Sequence, residues 1–169
     1  TNIPLIELND GRLLVFLNKT NSGQSVASIL SPFGQLEEEI VFAGTVAAAE
    51  SCGQGVLLSF SDGSIGLCTV KDGKTISRWV LNKSETGFSS SSVIVPAAFS
   101  DSIAVFASGS KILYINQKNG AITASLSSSV NAASLAFKGV TAQGLVLADK
   151  AGAECYNRLG ELVWQARFN

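Results

Sequence analysis

Short apolar runs closed by glycine-bearing turns follow one another along the whole chain, and no stretch sustains the apolar spacing of an amphipathic helix. The pattern predicts strands throughout and essentially no helix. Val56 to Phe60 is mostly apolar, Ser61-Asp62-Gly63-Ser64 turns the chain, Ile65 to Val70 returns, Lys71-Asp72-Gly73-Lys74 turns it again, and Thr75 to Leu81 leaves. Asp-Gly between apolar runs is a strong hairpin signal, because both residues tolerate the positive φ of tight hairpin turns. The same order recurs with Ile103 to Ala107, Lys111 to Asn116 and Ala121 to Leu126, with Leu145 to Ala148, Glu154 to Asn157 and Glu161 to Phe168, and more loosely with Arg12 to Leu17, Ser25 to Leu30 and Leu36 to Phe42. One further apolar segment precedes each group: Ile3 to Leu8, Val46 to Ala49, Val93 to Phe99 and Ala132 to Phe137. Each group therefore reads as four antiparallel strands. The second strand of each, as in Leu13-Leu14-Val15-Phe16, is apolar on consecutive positions and needs cover on both faces. The fourth strands alternate, Leu162, Trp164, Ala166 and Phe168 against Val163, Gln165 and Arg167, as an outer strand with one wet face does.

Two glycine series keep the same period. Gly23, Gly63, Gly109 and Gly152 are spaced by 40, 46 and 43 residues, and Gly34, Gly73, Gly120 and Gly160 by 39, 47 and 40. A four-stranded unit of this length cannot bury both faces alone and gains stability by stacking on a neighbour, which is how a propeller blade works. Four blades are expected, at approximately 1-43, 44-84, 85-128 and 129-169.

The stretch Gly55 to Leu67, followed by Lys71-Asp72-Gly73-Lys74-Thr75-Ile76-Ser77-Arg78-Trp79, resembles the repeat of PQQ-like (quinoprotein-type) β-propellers, and Gly160-Glu161-Leu162-Val163-Trp164 is similar to the same glycine-to-tryptophan ending. Units one and three carry other residues at the tryptophan position, so WD40-like propellers stand as alternative relatives. The resemblance implies an all-β propeller of four four-stranded antiparallel blades, part of a larger ring of about seven or eight. Cofactor-bearing members of that family hold their quinone with a vicinal cysteine pair, carboxylates and calcium. This chain has no adjacent cysteines, so the resemblance points to non-catalytic relatives with no cofactor and no metal. Trp79 and Trp164, at the ends of the repeats, are expected to pack between blades.

Composition narrows the function further. Apolar residues make up 46% and charged residues 15% of the 169-residue chain, so it can bury a core. Lys and Arg total 12 against 13 Asp and Glu, with no basic block to track a phosphate backbone or an anionic membrane, and no apolar run approaches a spanning length. No nucleic acid and no direct membrane insertion are expected. The absence of histidine removes Ser-His and Cys-His catalysis. Cys52, Cys68 and Cys155 have no metal-ligand spacing and read as small buried side chains. Gly53-Gln54-Gly55 lacks the third glycine of a dinucleotide fingerprint, because position 58 is Leu58, and it precedes a strand. Glu37-Glu38-Glu39 reads as a solvated outer strand. With no Met and no leader before Thr1, the chain reads as a processed or excised piece.

The reading is therefore a non-enzymatic scaffold that mediates protein-protein interaction within a larger assembly, its partners being other proteins or the remaining propeller blades. The alternative is a carbohydrate-binding or carbohydrate-active domain with a site at the channel mouth, for which Asp62, Asp101, Asp149 and Tyr156 are the candidates. The longest connection, Asn82 to Ser92, carries the partner-contact candidates Lys83, Glu85 and Phe88, since loops on a rigid frame often carry binding. Asn18-Lys19-Thr20 and Asn82-Lys83-Ser84 fit the N-glycosylation tripeptide, and glycan on Asn18 or Asn82 would imply a secretory or extracytoplasmic route.

Overall fold

The structure, a computed structural model, describes residues 5–19, 23–53, 55–71, 74–98 and 102–168. The turn expected at Asp72-Gly73, the end of the strand expected over Val93 to Phe99, and Asp101 lie outside them. The described residues form four sheets, each built from four consecutive strands paired antiparallel with their sequence neighbours. Sheet one contains β1 (Leu5–Glu7), β2 (Leu13–Lys19), β3 (Gln24–Leu30) and β4 (Leu36–Phe42); sheet two contains β5 (Val46–Cys52), β6 (Gly55–Phe60), β7 (Ile65–Lys71) and β8 (Lys74–Leu81). Sheet three contains β9 (Val93–Ala98), β10 (Ile103–Ser108), β11 (Lys111–Asn116) and β12 (Ile122–Ser127); sheet four contains β13 (Phe137–Val140), β14 (Leu145–Ala148), β15 (Gly152–Tyr156) and β16 (Leu162–Arg167). In every sheet the third and fourth strands slip register once, at Ile29/Leu30, Leu67/Cys68, Tyr114/Ile115 and Cys155/Tyr156. The slip falls at the start of the fourth strand in sheets one, three and four and near the end of β8 in sheet two, and each such bulge sharpens the local twist of its outer strand.

The turns use side chains to satisfy their own backbone. Between β3 and β4 the Ser31 hydroxyl accepts from the Phe33 and Gln35 amides, and between β15 and β16 Asn157 Oδ1 accepts from Leu159 and Glu161. Such local acceptors favour turns over continued strand.

The chain divides into two compact units, Thr1–Ser91 and Ser92–Asn169. In the first, Leu14, Phe16, Ala27 and Ile29 of sheet one pack against Val46, Val56, Leu58 and Phe60 of sheet two. Phe16 and Phe42 meet as tilted rings with centroids 5.7 Å apart, and the Ser25 hydroxyl accepts from the Val46 amide at 2.7 Å across the sheets. In the second, Val105, Ala107, Ile112 and Tyr114 of sheet three pack against Leu145, Leu147 and Tyr156 of sheet four. Each fully buried Leu, Ile or Phe contributes roughly 1.5–3 kcal/mol, so these face-to-face layers hold the sheets together.

Three expectations are corrected. Helix is present: α1 (Lys83–Thr86) lies in the long connection after sheet two. Ala132 to Phe137 is not one strand, because the Asn131 side chain accepts from the Ala133 amide and starts a 3-10 turn over Ala132–Ser134, leaving β13 to begin at Phe137. Cover of the second and fourth strands also differs from the pattern. β6 and β10 are buried almost throughout, as consecutive apolar positions require, but in β2 Leu14 and Phe16 are buried while Leu17 is 44% exposed. β16 is exposed at every position rather than at alternate ones.

Truncating Phe16→Ala should lower the unfolding free energy by about 3–5 kcal/mol, whereas Phe33→Ala, at a ring 92% exposed in the β3–β4 turn, should change it by less than about 0.5 kcal/mol. Urea denaturation followed by circular dichroism measures both.

Candidate functional site

The connection after β8 is built by its own residues. Asn82 sits in extended backbone at the N-cap of α1, and its Oδ1 accepts from the Ser84 amide at 3.1 Å and the Ser84 hydroxyl at 2.6 Å. Glu85 Oε2 accepts from the Asn82 amide at 2.9 Å, completing a capping box in which two otherwise orphaned donors are satisfied. Gly87 closes the turn in the left-handed region and donates to the Lys83 carbonyl. Four residues of helix would not persist alone. Two residues fasten them to sheet two: the buried Thr86 hydroxyl donates to the Gly63 carbonyl at 2.9 Å and accepts from the Phe88 amide at 3.1 Å. Phe88 is only 2% exposed, and its carbonyl comes so close to Gly63 that a Cβ there would stand 2.5 Å from it. Gly63, at φ +96°, is thus required both by the β6–β7 turn and by the segment docked upon it. Lys83, Ser84 and Glu85 remain exposed on the outer side.

A cavity of about 430 Å³ opens between β4 and sheet two, lined chiefly by Ile40, Phe42, Leu58, Phe60 and Val80, with Asp62, Ser64 and Ser77 among its polar residues. Cys68 also lines it, and burial pushes its thiol up to about 12, so the sulfur stays protonated and is a weak nucleophile.

Sheet four holds the most polar buried cluster among the described residues. Glu154, 3% exposed, projects from β15 and accepts hydrogen bonds from the hydroxyls of Ser128, Ser129 and Tyr156, from the Ser129 amide at 3.2 Å and from Gln165 Nε2 at 3.1 Å. Burial pushes the carboxyl up, but the donors from Ser128, Ser129 and Tyr156 outweigh it and hold Glu154 below the usual carboxylate range. Burial, followed by the bond to Glu154, pushes the Tyr156 hydroxyl up to about 12. Nearby, Asp149 accepts from the amides of Ala151, Gly152 and Asn131; the Ala151 bond leads these in holding it below its ordinary value.

No family model and no curated protein matches the chain. Solved structures do. Over 98% of its length the chain is similar to the Neurospora crassa Pan2 WD40 domain, with TM-score 0.66, 15% identity and 48% of that chain covered. It is similar to BamB from Moraxella catarrhalis with TM-score 0.69, 14% identity and 53% of that chain covered, and to a chain of a mitotic checkpoint complex with TM-score 0.72, 8% identity and 52% covered. The chain has the β-propeller fold. It is all-β, with four four-stranded antiparallel blades, and it spans about half the length of these propellers. A WD40 domain and BamB are both among its structural neighbours.

The four sheets are blades one to four. Of the candidates read from the sequence, Lys83 and Glu85 stand exposed on α1, with Glu85 also serving the cap, while Phe88 is turned into the protein and anchors the loop to blade two. Asn82 is exposed at the helix cap; Asn18 lies in β2 opposite Ser25, and Thr20 of its tripeptide is outside the described residues. Asp62 is exposed in the β6–β7 turn, its Oδ1 accepting from the Ser64 amide, whereas Asp149 and Tyr156 are committed to the bonds just described. Trp79 is buried in β8; Trp164 is 37% exposed on β16 and donates through Nε1 to Gln143. Among the described residues no group of three or more Cys, Asp or Glu side chains is placed to hold a metal. Glu154 escaped the sequence reading, although a lone glutamate inside Gly152–Tyr156, flanked by Ala153 and Cys155, was a signal for a paired buried charge.

Because the folded Glu154 carboxyl lies below its ordinary value, its contribution is full above the ordinary carboxylate range and is lost as pH falls through the folded value. Glu154→Gln should cost about 1–3 kcal/mol at pH 7 and weaken the acid dependence of stability between pH 5 and pH 3, as read by thermal denaturation across that range.

Proposed function

We propose that this chain is a non-enzymatic scaffold that docks a protein partner through the loop between blades two and three. The observation that carries the reading is a short exposed helix, capped at both ends and fastened to blade two through Thr86 and Phe88, that holds Lys83, Ser84 and Glu85 outward. A preordered loop loses little conformational entropy on binding, so its charged groups can be used for recognition at small cost. Phe88 contributes from beneath, by fixing the loop rather than by entering the partner. Lys83 and Glu85 sit two residues apart on the helix and offer opposite charges, which suits a partner with a complementary acidic and basic pair. That one structural neighbour is part of a mitotic checkpoint complex agrees with a propeller acting inside an assembly.

The buried polar groups of blade four support the same reading, since Glu154 and Tyr156 are saturated by one another and by Ser128, Ser129 and Gln165 rather than aimed at a substrate. Partners captured by the immobilised chain should be recovered about tenfold less with Lys83→Glu, a loss of about 1.4 kcal/mol, and equally well with Lys118→Glu in the β11–β12 turn. Equal recovery by both variants, measured by quantitative mass spectrometry, would remove the loop from the contact.

A further inference from the structure

The geometry points to the cavity between β4 and sheet two as a binding site for a small apolar amine, a molecule with an aromatic or branched aliphatic body and one protonated nitrogen. Both walls of this cavity belong to the unit Thr1–Ser91. The strand registers build them. In blade one, Ile40 and Phe42 stand opposite Ala27 and Ser25 and turn toward blade two. In blade two, Leu58, Gly66 and Val80 stand in one row, and Val56, Cys68 and Ser77 form another row of the same face.

Gly66 leaves part of that wall bare. A Cβ there would stand 3.2 Å from the Trp79 carbonyl oxygen and 3.4 Å from Val80 Cγ2, so β8 packs too near for a larger side chain to fill the space. The volume of about 430 Å³ falls within the range of small-molecule sites, about 300–1,000 Å³. Its aromatic walls are in place before anything binds. Phe42 is packed on Phe16 with ring centroids 5.7 Å apart, and Gly44 lies so near Phe60 that a Cβ would stand 3.2 Å from the ring. Ile40 and Phe42 are only half-buried and Val80 is 55% exposed, so apolar surface stays open to an occupant.

Charge selects the kind of occupant. Burial keeps the Cys68 thiol protonated, and Asp62 is the one charged side chain among the lining residues, with no Lys or Arg beside it there. Asp62 Oδ1 accepts from the Ser64 amide at 2.8 Å, while its Oδ2 has no bond among the described residues. A carboxylate and two phenyl rings in one cavity attract a cation in two ways, by charge and by the negative faces of the rings. An anion would meet the same carboxylate with nothing on the lining to offset it. The hydroxyls of Ser64 and Ser77 can accept from the remaining N–H groups of an ammonium.

Tryptamine, titrated into the 169-residue chain at pH 7 and followed by amide chemical shifts in nuclear magnetic resonance, should bind with a Kd of about 1 mM or tighter and shift Gly66, Cys68 and Ser77. Indole-3-propionate, the same ring with the opposite charge, should bind at least about tenfold more weakly. Asp62→Asn keeps an oxygen for the Ser64 amide and removes only the charge, so it should weaken tryptamine about fivefold and leave indole-3-propionate no weaker. Ser77→Leu, which fills the cavity from an exposed position, should abolish both; if that variant unfolds by circular dichroism, Val80→Trp takes its place. Equal affinity for the two probes, shifts confined to other parts of the chain, or no binding of tryptamine at about 5 mM would each overturn the proposal. So would a dimer that Val80→Trp dissociates, which would give the cavity to a second copy. Lys83→Glu should leave tryptamine binding unchanged, so this site and loop-mediated capture can fail separately.

Discussion

A four-stranded antiparallel sheet of about six-residue strands has two faces and no core of its own, and the burial of one such face on the next holds each unit of this protein together. Leu14, Phe16, Ala27 and Ile29 against Val56, Leu58 and Phe60 do this in the first unit, and Val105, Ile112 and Tyr114 against Leu145, Leu147 and Tyr156 in the second. The second strand lies at the centre of each layer, which is why its residues are apolar on consecutive positions. The outer strands are spared that demand: in β4, Glu37 and Glu39 face solvent while Ile40 and Phe42 turn partly inward. Arg12, paired with Asp10 at 2.7 Å and reaching Glu37 at 3.6 Å, tethers the β1–β2 turn to that outer strand. Exposed pairs of this kind contribute little beside the apolar layers.

Polar groups enter this frame where they are fully paired. The loop after blade two converts a capping box, a buried threonine hydroxyl and one phenylalanine into a fixed platform, and its helix is too short to exist without them. Glu154 is held by hydroxyls and amides, and its cluster ties the segment Ser128-Ser129 to β15 and β16. A buried charge satisfied in this way specifies one arrangement, because losing any donor leaves a costly orphan.

Strand number, order and antiparallel pairing were readable from the sequence, since they rest on apolar runs and on Asp-Gly, Asn-Gly and similar turns, which act locally. Helix α1 was not, because four residues carry no period; the Asn82 to Glu85 capping spacing was its only local trace. The boundary at Ala132 to Phe137 failed for a related reason, the Asn131 cap outweighing an apolar stretch. Phe88 was visible as a large apolar side chain in a polar loop, yet its direction depended on Gly63, twenty-five residues away in sequence, which no local pattern reports. Glu154 needed partners from three separate segments to be recognised as a site.

Native-state hydrogen exchange of the full chain, resolved to individual strands, tests the central claim most directly. If packing of blade faces sets stability, the amides shared by β6 with β7, β10 with β11 and β14 with β15 exchange slowest, and those of β13 and β16 exchange first. Slow exchange concentrated in the outer strands, with fast exchange in β6 and β10, would contradict it.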